Sequence, residues 1–178
     1  MPATTARIEV RLRELAQLFN SMDPSPFIDR DLDAKAEEFI VSWAREHPTG
    51  HEFQLSIHLA TAPEPDRAAG VEEAVRHYFK ARADMKRSEF RQLMRVGRQS
   101  LLVGLLFLAG CLFLAGMLAP KLDSATAADI VREGLTILGW VAMWRPLQVY
   151  LYDWWPLQEE QRLFARLARL HVRLIVAK

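Results

Sequence analysis

The chain has 178 residues, and its 23 lysines and arginines nearly balance its 22 aspartates and glutamates. This balance excludes a strongly basic or acidic protein, and a single cysteine, Cys111, excludes an internal disulfide. The average hides an apolar segment, because residues 100–119 carry no charge. As a helix this segment spans roughly 30 Å, the thickness of the hydrocarbon core of a bilayer. The sequence therefore predicts a membrane protein.

Residues 1–68 predict a small cytoplasmic β-α-β domain. Apolar and charged residues alternate over residues 6–15, which favours a strand. A helix is the alternative, because Ile8, Leu12, Leu15 and Phe19 also fall at helical spacing. The alternation over residues 53–59 predicts the clearest strand of the chain.

A helix between these strands is predicted from a cap at Asp29 or Asp31 to about Glu46, where residues 48–50 end it. Its apolar face contains Leu32, Ala36, Phe39, Ile40 and Trp43.

Two strands and one short helix bury too little apolar surface for an independent core. We therefore expect protomers to complete one another in a homo-oligomer. A monomeric domain resting on the membrane surface is the alternative.

The rest of the chain predicts two membrane crossings, the first entered by a long helix from about Val71 that continues into the bilayer. The predicted fold class is thus an α+β membrane protein, with a β-α-β domain, a transmembrane hairpin and a C-terminal amphipathic helix. The segments after the domain are a basic juxtamembrane helix (69–98), transmembrane helix 1 (99–119), a periplasmic loop (120–128), transmembrane helix 2 (129–153) and the amphipathic helix (154–178).

Lysines and arginines determine the predicted orientation. They crowd the segment before the first crossing and the segment after the second, whereas the loop between the crossings is poor in them. The positive-inside rule places both termini in the cytoplasm of a multi-pass protein of the bacterial inner membrane.

Arg145 lies near mid-membrane in the second crossing and is followed by Pro146 and Gln148. In one reading these residues line the pore of an oligomer, where Arg145 favours anions. In the other, favoured reading, the helix breaks at Arg145-Pro146 and the guanidinium reaches the lipid headgroups. Asp153 is expected to lie too far along a straight helix to pair with Arg145.

A heptad pattern in the first crossing places Gly97, Gly104 and Cys111 at one position of its seam, and Ala115 continues the same seam. Small residues allow membrane helices to approach closely. The pattern predicts helix packing, against either the second crossing or a neighbouring protomer.

Basic and aromatic residues next to the crossings predict contacts with the anionic lipids of the inner leaflet. The C-terminal leucines either lie on that leaflet or pack on the cytoplasmic domain. The basic stripe does not indicate nucleic acid, because interleaved aromatic residues are missing. The predicted lipid-contacting residues are Arg91, Arg95, Arg98, Trp154, Trp155, Arg162, Arg166, Arg169 and Arg173.

The sequence shows no nucleophile setting and no phosphate-binding loop, so we expect no enzyme, no catalytic residue and no cofactor. His47, His51 and His58 are close in sequence, but known metal-ligand spacings need a second cluster. We expect no metal site.

Three segments, residues 11–27, 30–44 and 139–157 with its WRPLQVYLYDWWP run, resemble a family of small two-span proteobacterial inner-membrane proteins without an agreed activity. The resemblance implies a cytoplasmic α/β domain and transfers no functional residue. The order of segments is also similar to that of calcium uniporter subunits. Their acidic motif before a proline is replaced here by Met143-Trp144-Arg145, which removes the basis for cation conduction.

Taken together, these features predict a non-enzymatic, homo-oligomeric membrane protein that serves assembly or partner binding. The alternatives are a small channel lined by Arg145 and an accessory subunit bound to other membrane proteins.

Overall fold

The structure of the chain is a computed structural model that describes residues 5–47 and 52–176. Over these residues the chain is of mixed α+β class. One parallel sheet has the order β1 (Thr5–Leu12), β2 (Glu52–Leu59) and β3 (His171–Val176). The helices are α1 (Ala34–Arg45), α2 (Pro65–Leu118), α3 (Ala125–Ala142), α4 (Trp144–Gln148) and α5 (Trp154–Leu167). Short 3₁₀ turns lie at Leu15–Leu18, Phe27–Asp29 and Ala119–Lys121, and a π-helical turn at Val149–Asp153.

The described residues form two compact units. The sheet unit combines the chain up to Lys86 with the chain from Glu159 onward, and the helical hairpin contains residues 87–158. The hairpin is therefore inserted in the connection between β2 and β3.

The strand predictions for β1 and β2 are confirmed, and the helical alternative for the start of the chain is wrong over β1. Alternation has the expected cause: Ile8 and Leu55 are fully buried on one face of the sheet, whereas Arg7 and Glu9 are exposed on the other. Apolar side chains of α1, α2 and α5 cover the buried face and complete a single core.

The predicted N-terminal cap of α1 is corrected. Asp33, rather than Asp29 or Asp31, accepts hydrogen bonds from the backbone N–H groups of Lys35 and Ala36, because Asp29 belongs to a separate 3₁₀ turn. Phe39, assigned to the apolar face, is exposed, and Val41 and Ala44 are buried in its place. Residues 48–50, expected to end this helix, lie outside the described residues, as does His51.

The predicted amphipathic helix over residues 154–178 is also corrected. The helix ends at Leu167, and the chain then forms β3, which pairs with β2 in parallel. Leu163, Leu167 and Leu170 are buried in the core of the sheet unit, so these leucines pack on the domain and not on a membrane surface. Because β3 supplies a third strand from the same chain, the need for a second protomer to complete the core disappears.

The long helix is confirmed, but it begins earlier than expected. α2 starts at Pro65, a residue suited to a first helical turn because its missing N–H would be unpaired there. α2 and the 3₁₀ turn that follows it form one helix of 57 residues. An 18-residue stretch of this helix has a mean hydropathy of 2.6, and 17% of that stretch is buried. Within the described residues it is the one helix that is long and apolar enough to cross a membrane.

The second predicted crossing is not one uniform helix. α3 ends at Ala142, Met143 forms a turn, and α4 and a π-helical turn follow. The predicted break therefore lies before Arg145-Pro146. Pro146 occupies the first turn of α4, where a backbone donor is not needed.

Candidate functional site

The hairpin has two legs: the part of α2 within residues 87–118, and residues 125–153, which contain α3, α4 and the π-helical turn. The small residues of α2 face the second leg. A Cβ added at Gly104 would lie 3.1 Å from both the Ala142 carbonyl oxygen and the Met143 Sδ. Cys111 and Ala115, further along the same face, are buried. The structure thus places the predicted packing residues against the same chain.

Gly139 on α3 makes the closest approach from the other side. A Cβ there would lie 2.6 Å from Leu108 Cδ1 and 3.3 Å from Cys111 Cβ. Gly134, on the same helix, would meet nothing within 4 Å. The contact between the legs therefore depends on Gly139 in particular.

Arg145 is paired, which corrects the expectation that Asp153 lies out of reach. The Arg145 Nη1 and Asp153 Oδ2 atoms are 3.0 Å apart. The expectation assumed a straight α-helix, whereas the π-helical turn at Val149–Asp153 changes the phase and shortens the rise between the two residues. Gln148, the last residue of α4, is half-buried.

The predicted lipid-contacting residues separate into two groups. Arg91, Arg95 and Arg98 are exposed on α2, and Trp154 and Trp155 begin α5; all five lie in the hairpin. Trp154 Nε1 donates a hydrogen bond to the Tyr150 carbonyl.

The four C-terminal arginines do not form one helical stripe, so that prediction is wrong. Arg162 and Arg166 lie on α5, Arg169 lies in the turn that follows, and Arg173 lies on β3. Arg166 lies over the Phe53 ring, with 4.9 Å between the guanidinium carbon and the ring centroid.

The predicted histidines that the structure describes, His47 and His58, lie in different environments. His47 stacks on Trp43 at the end of α1, and His58 lies on β2, 4.0 Å from a Glu9 carboxylate oxygen. Among the described residues, no three His, Cys, Asp or Glu side chains are grouped so that they could hold a metal ion.

The sheet has one covered face and one open face. The strands lie side by side in their chain order, so the connections from β1 to β2 and from β2 to β3 both move in the same direction across the sheet. Right-handed crossovers then place all connecting helices on the same side. The core agrees with this, because α1, α2 and α5 contribute side chains to one cluster on the side of Ile8 and Leu55. All-parallel sheets are normally covered on both faces, so an open face needs an explanation.

We call the side of the sheet opposite Ile8 and Leu55 the open face; its side chains are exposed or half-buried except that of Ser56, which is 5% exposed. Its charged groups are mainly basic: Arg7, Arg11 and Arg173 have no ion-pair partner among residues 5–47 and 52–176. The His58 Nε2 atom at its centre is shielded from solvent and lacks a hydrogen-bond partner in the same residues. The face contains Thr5, Arg7, Glu9, Arg11, Gln54, Ser56, His58, His171, Arg173 and Ile175.

A second polar cluster joins α1 to α2. The Glu37 carboxylate accepts hydrogen bonds from Tyr78 Oη at 2.7 Å and from Arg82 Nε at 2.8 Å. Burial, followed by the hydrogen bond to Glu37, raises the pKa of Tyr78 above its usual value. Burial lowers the pKa of Arg82, but the bond and charge of Glu37 outweigh this and raise it. These groups fix one another and stabilise the packing of α1 on α2.

Sequence reasoning missed the open face, because it requires β3, and it missed Tyr150 as a neighbour of the α2 arginines. The alternation in β3 was the one available signal. Comparison with family models, curated proteins and solved structures finds no match for this chain. The resemblance to a two-span family stays a prediction.

Gly139→Leu is expected to destabilise the hairpin by about 1–3 kcal/mol, because the new side chain overlaps Leu108. Gly134→Leu on the same helix is the matched control and should not destabilise the chain. Thermal denaturation of the full chain in detergent, followed by circular dichroism, measures both. Equal melting temperatures for the two variants would contradict the close contact at Gly139.

Tyr78 is expected to ionise above about pH 10, the usual tyrosine value, because burial and Glu37 favour its neutral form. The stability linked to this shift is present below that pH and is lost as the pH rises through the folded pKa. Absorbance at 295 nm of the native chain, minus that of Tyr78→Phe, isolates one of the three tyrosines. Glu37→Gln should lower the midpoint, and a midpoint at or below 10 in the unsubstituted chain would refute the assignment.

Proposed function

We propose that this chain is a two-span protein of the bacterial inner membrane, non-enzymatic, whose cytoplasmic sheet unit binds a protein partner through its open face. The partner carries acidic groups, and the hairpin holds the binding unit at the membrane. The open face is the observation that carries this proposal.

The two-span topology is supported by the path of the chain. Residues on both flanks of the hairpin belong to the sheet unit, and the Lys86 Nζ and Glu160 Oε2 atoms are 3.1 Å apart. A chain that leaves a folded unit, crosses a bilayer and returns to the same unit must cross an even number of times. Since α2 supplies one crossing, the second leg of the hairpin supplies the return.

Exposed apolar side chains on both legs support lipid as their solvent. Val103 and Phe113 on α2, and Ile137 and Val141 on α3, each expose more than 60% of their surface. Soluble proteins rarely expose contiguous apolar surface of this kind. The Arg145–Asp153 pair reduces the cost of charge in the second leg.

The chemistry of the open face favours an acidic protein partner. Its unpaired arginines repel a second copy of the same face, which weakens face-to-face self-association. The face carries no Phe, Tyr or Trp side chain, whereas modules that bind single-stranded nucleic acid mainly use such residues to stack bases. A second copy of the chain is therefore the alternative occupant of this face, and the mass of a cross-linked product distinguishes it from another protein.

A channel lined by Arg145 has less support than the binding proposal, because a paired guanidinium offers less positive charge to a permeating anion. An accessory subunit of a larger membrane complex is one form of the proposed function, in which the acidic partner is itself a membrane protein.

The proposed topology predicts that the two flanks of the hairpin share one compartment. In a Cys111→Ala background, Thr61→Cys and Glu159→Cys should react with an impermeant maleimide only after the inner membrane is opened. Asp123→Cys, in the turn between α2 and α3, should react in cells whose outer membrane alone is permeable. Labelling of Thr61→Cys and Glu159→Cys from opposite sides would overturn the even number of crossings.

The binding proposal predicts a specific cross-link from the open face. A photoreactive residue at position 9, on this face, should cross-link a partner in living cells, whereas one at position 35 on α1 should not. Arg11→Gln with Arg173→Gln should reduce the product roughly tenfold or more, since charge-assisted hydrogen bonds are lost. Lys35→Gln with Lys80→Gln removes the same charge from exposed helix positions outside the open face and should preserve the product.

Two results would contradict this assignment. Absence of any cross-link at position 9 would remove the binding role of the face. A product at twice the mass of the 20.4 kDa chain would assign the face to a second copy.

A further inference from the structure

A groove in the helical hairpin combines three arginines with apolar side chains. Its volume is about 400 Å³, and it is lined by Phe90, Arg91, Met94, Arg95, Arg98 and Tyr150. The first five residues come from one side of α2, as their spacing requires. Tyr150 comes from the π-helical turn of the second leg. Both legs of the hairpin therefore build the groove.

Gly97 makes this meeting possible. A Cβ at position 97 would lie 2.7 Å from Val149 Cγ1 and 3.6 Å from Tyr150 Cζ, the ring carbon that bears the hydroxyl. The missing side chain lets the π-helical turn approach α2 and brings the hydroxyl end of Tyr150 to the row of arginines.

The arginines of the groove lack the partners that basic residues earlier in α2 possess. Arg76 pairs with Glu72, Arg82 pairs with Glu37, and Lys86 pairs with Glu160. Arg91, Arg95 and Arg98 are exposed and have no ion-pair or hydrogen-bond partner in the described residues. Like charges three and four positions apart repel one another on a helix, so an anion in this groove removes a repulsion.

The position of the groove favours a lipid over a soluble anion. It ends at Arg98, directly before the uncharged segment that starts at Ser100. Basic side chains at the end of a membrane span lie at the level of the lipid phosphates. Phe90 and Met94 are half-buried apolar groups, for which a free phosphate offers no partner.

We propose that this groove is a binding site for the headgroup of an anionic phospholipid, a use that rests on the proposed membrane crossing. Arg91, Arg95 and Arg98 contact the phosphate oxygens, to which guanidinium groups bind in a bidentate manner. The Tyr150 hydroxyl donates a further hydrogen bond, and Phe90 and Met94 pack against the first carbons of an acyl chain.

Native mass spectrometry of the full chain in detergent tests this site, with phosphatidylglycerol and phosphatidylcholine added in equal amounts. Phosphatidylglycerol should bind preferentially and at one molecule per chain. Arg95→Gln should weaken this binding about tenfold, and Tyr150→Phe about threefold, in line with charged and neutral hydrogen bonds. Arg132→Gln and Tyr152→Phe make the same chemical changes outside the groove and should leave binding unchanged.

Equal binding of the two lipids, or equal loss in the control variants, would overturn the site. Displacement of the lipid by millimolar inorganic phosphate would overturn its assignment to lipid. The proposed function fails separately: a chain recovered in the soluble fraction of cells would refute the membrane crossing, whereas a membrane-bound chain without lipid preference would refute this inference alone.

Discussion

The pairing of β3 with β2 is the constraint on which the whole chain depends. β3 follows the helical hairpin in sequence, yet its backbone binds the strand that precedes the hairpin, from Gln54↔His171 to Leu59↔Val176. Parallel strands always need a crossover connection, and helices usually provide it. Here the crossover contains the first turns of α2, the hairpin and α5. If the segment between β2 and β3 inserts into a membrane, the sheet can form only when both ends of that segment lie on the same side of the membrane. A hairpin of two legs meets this requirement.

Close contact between the legs of the hairpin is expected if, as we propose, lipid surrounds them. Apolar side chains gain little from leaving lipid, so membrane helices associate through dense packing and polar pairs. Gly104 and Gly139 provide the dense packing, because hydrogen atoms replace side chains where the legs approach. The Arg145–Asp153 pair provides a polar contact within the second leg. The same close approach at Gly97 creates the groove that we propose as a phospholipid site, so the packing of the legs and the proposed binding share one cause.

How far the sequence predicts this structure depends on the range of the interactions involved. β1 and β2 were predictable because a strand with one buried face shows its period of two residues directly. β3 was missed because Leu163, Leu167, Leu170 and Leu174 are spaced like one side of a helix, and the pairing that overrides this spacing involves residues far away in sequence. The Arg145–Asp153 pair was missed because a π-helical turn changes the helix phase without a recognisable sequence signal. The sequence identified the arginines of the groove as candidate lipid contacts, which stays a prediction, whereas finding Tyr150 beside them required the register of the two legs.

The binding role that we propose for the open face is that of a reversible surface. Permanent interfaces resemble a core cut in half and are mainly apolar. The residues of this face instead alternate with the core positions along each strand and are mainly polar. In the proposed function its unpaired arginines attract an acidic partner, and such charge complementarity acts mainly on the rate of association and on specificity. The shielded His58 Nε2 remains without a hydrogen-bond partner in the described chain until a ligand or water supplies one. Because the sheet is central to the path of the chain, a partner bound there also stabilises the strand pairing on which the hairpin depends.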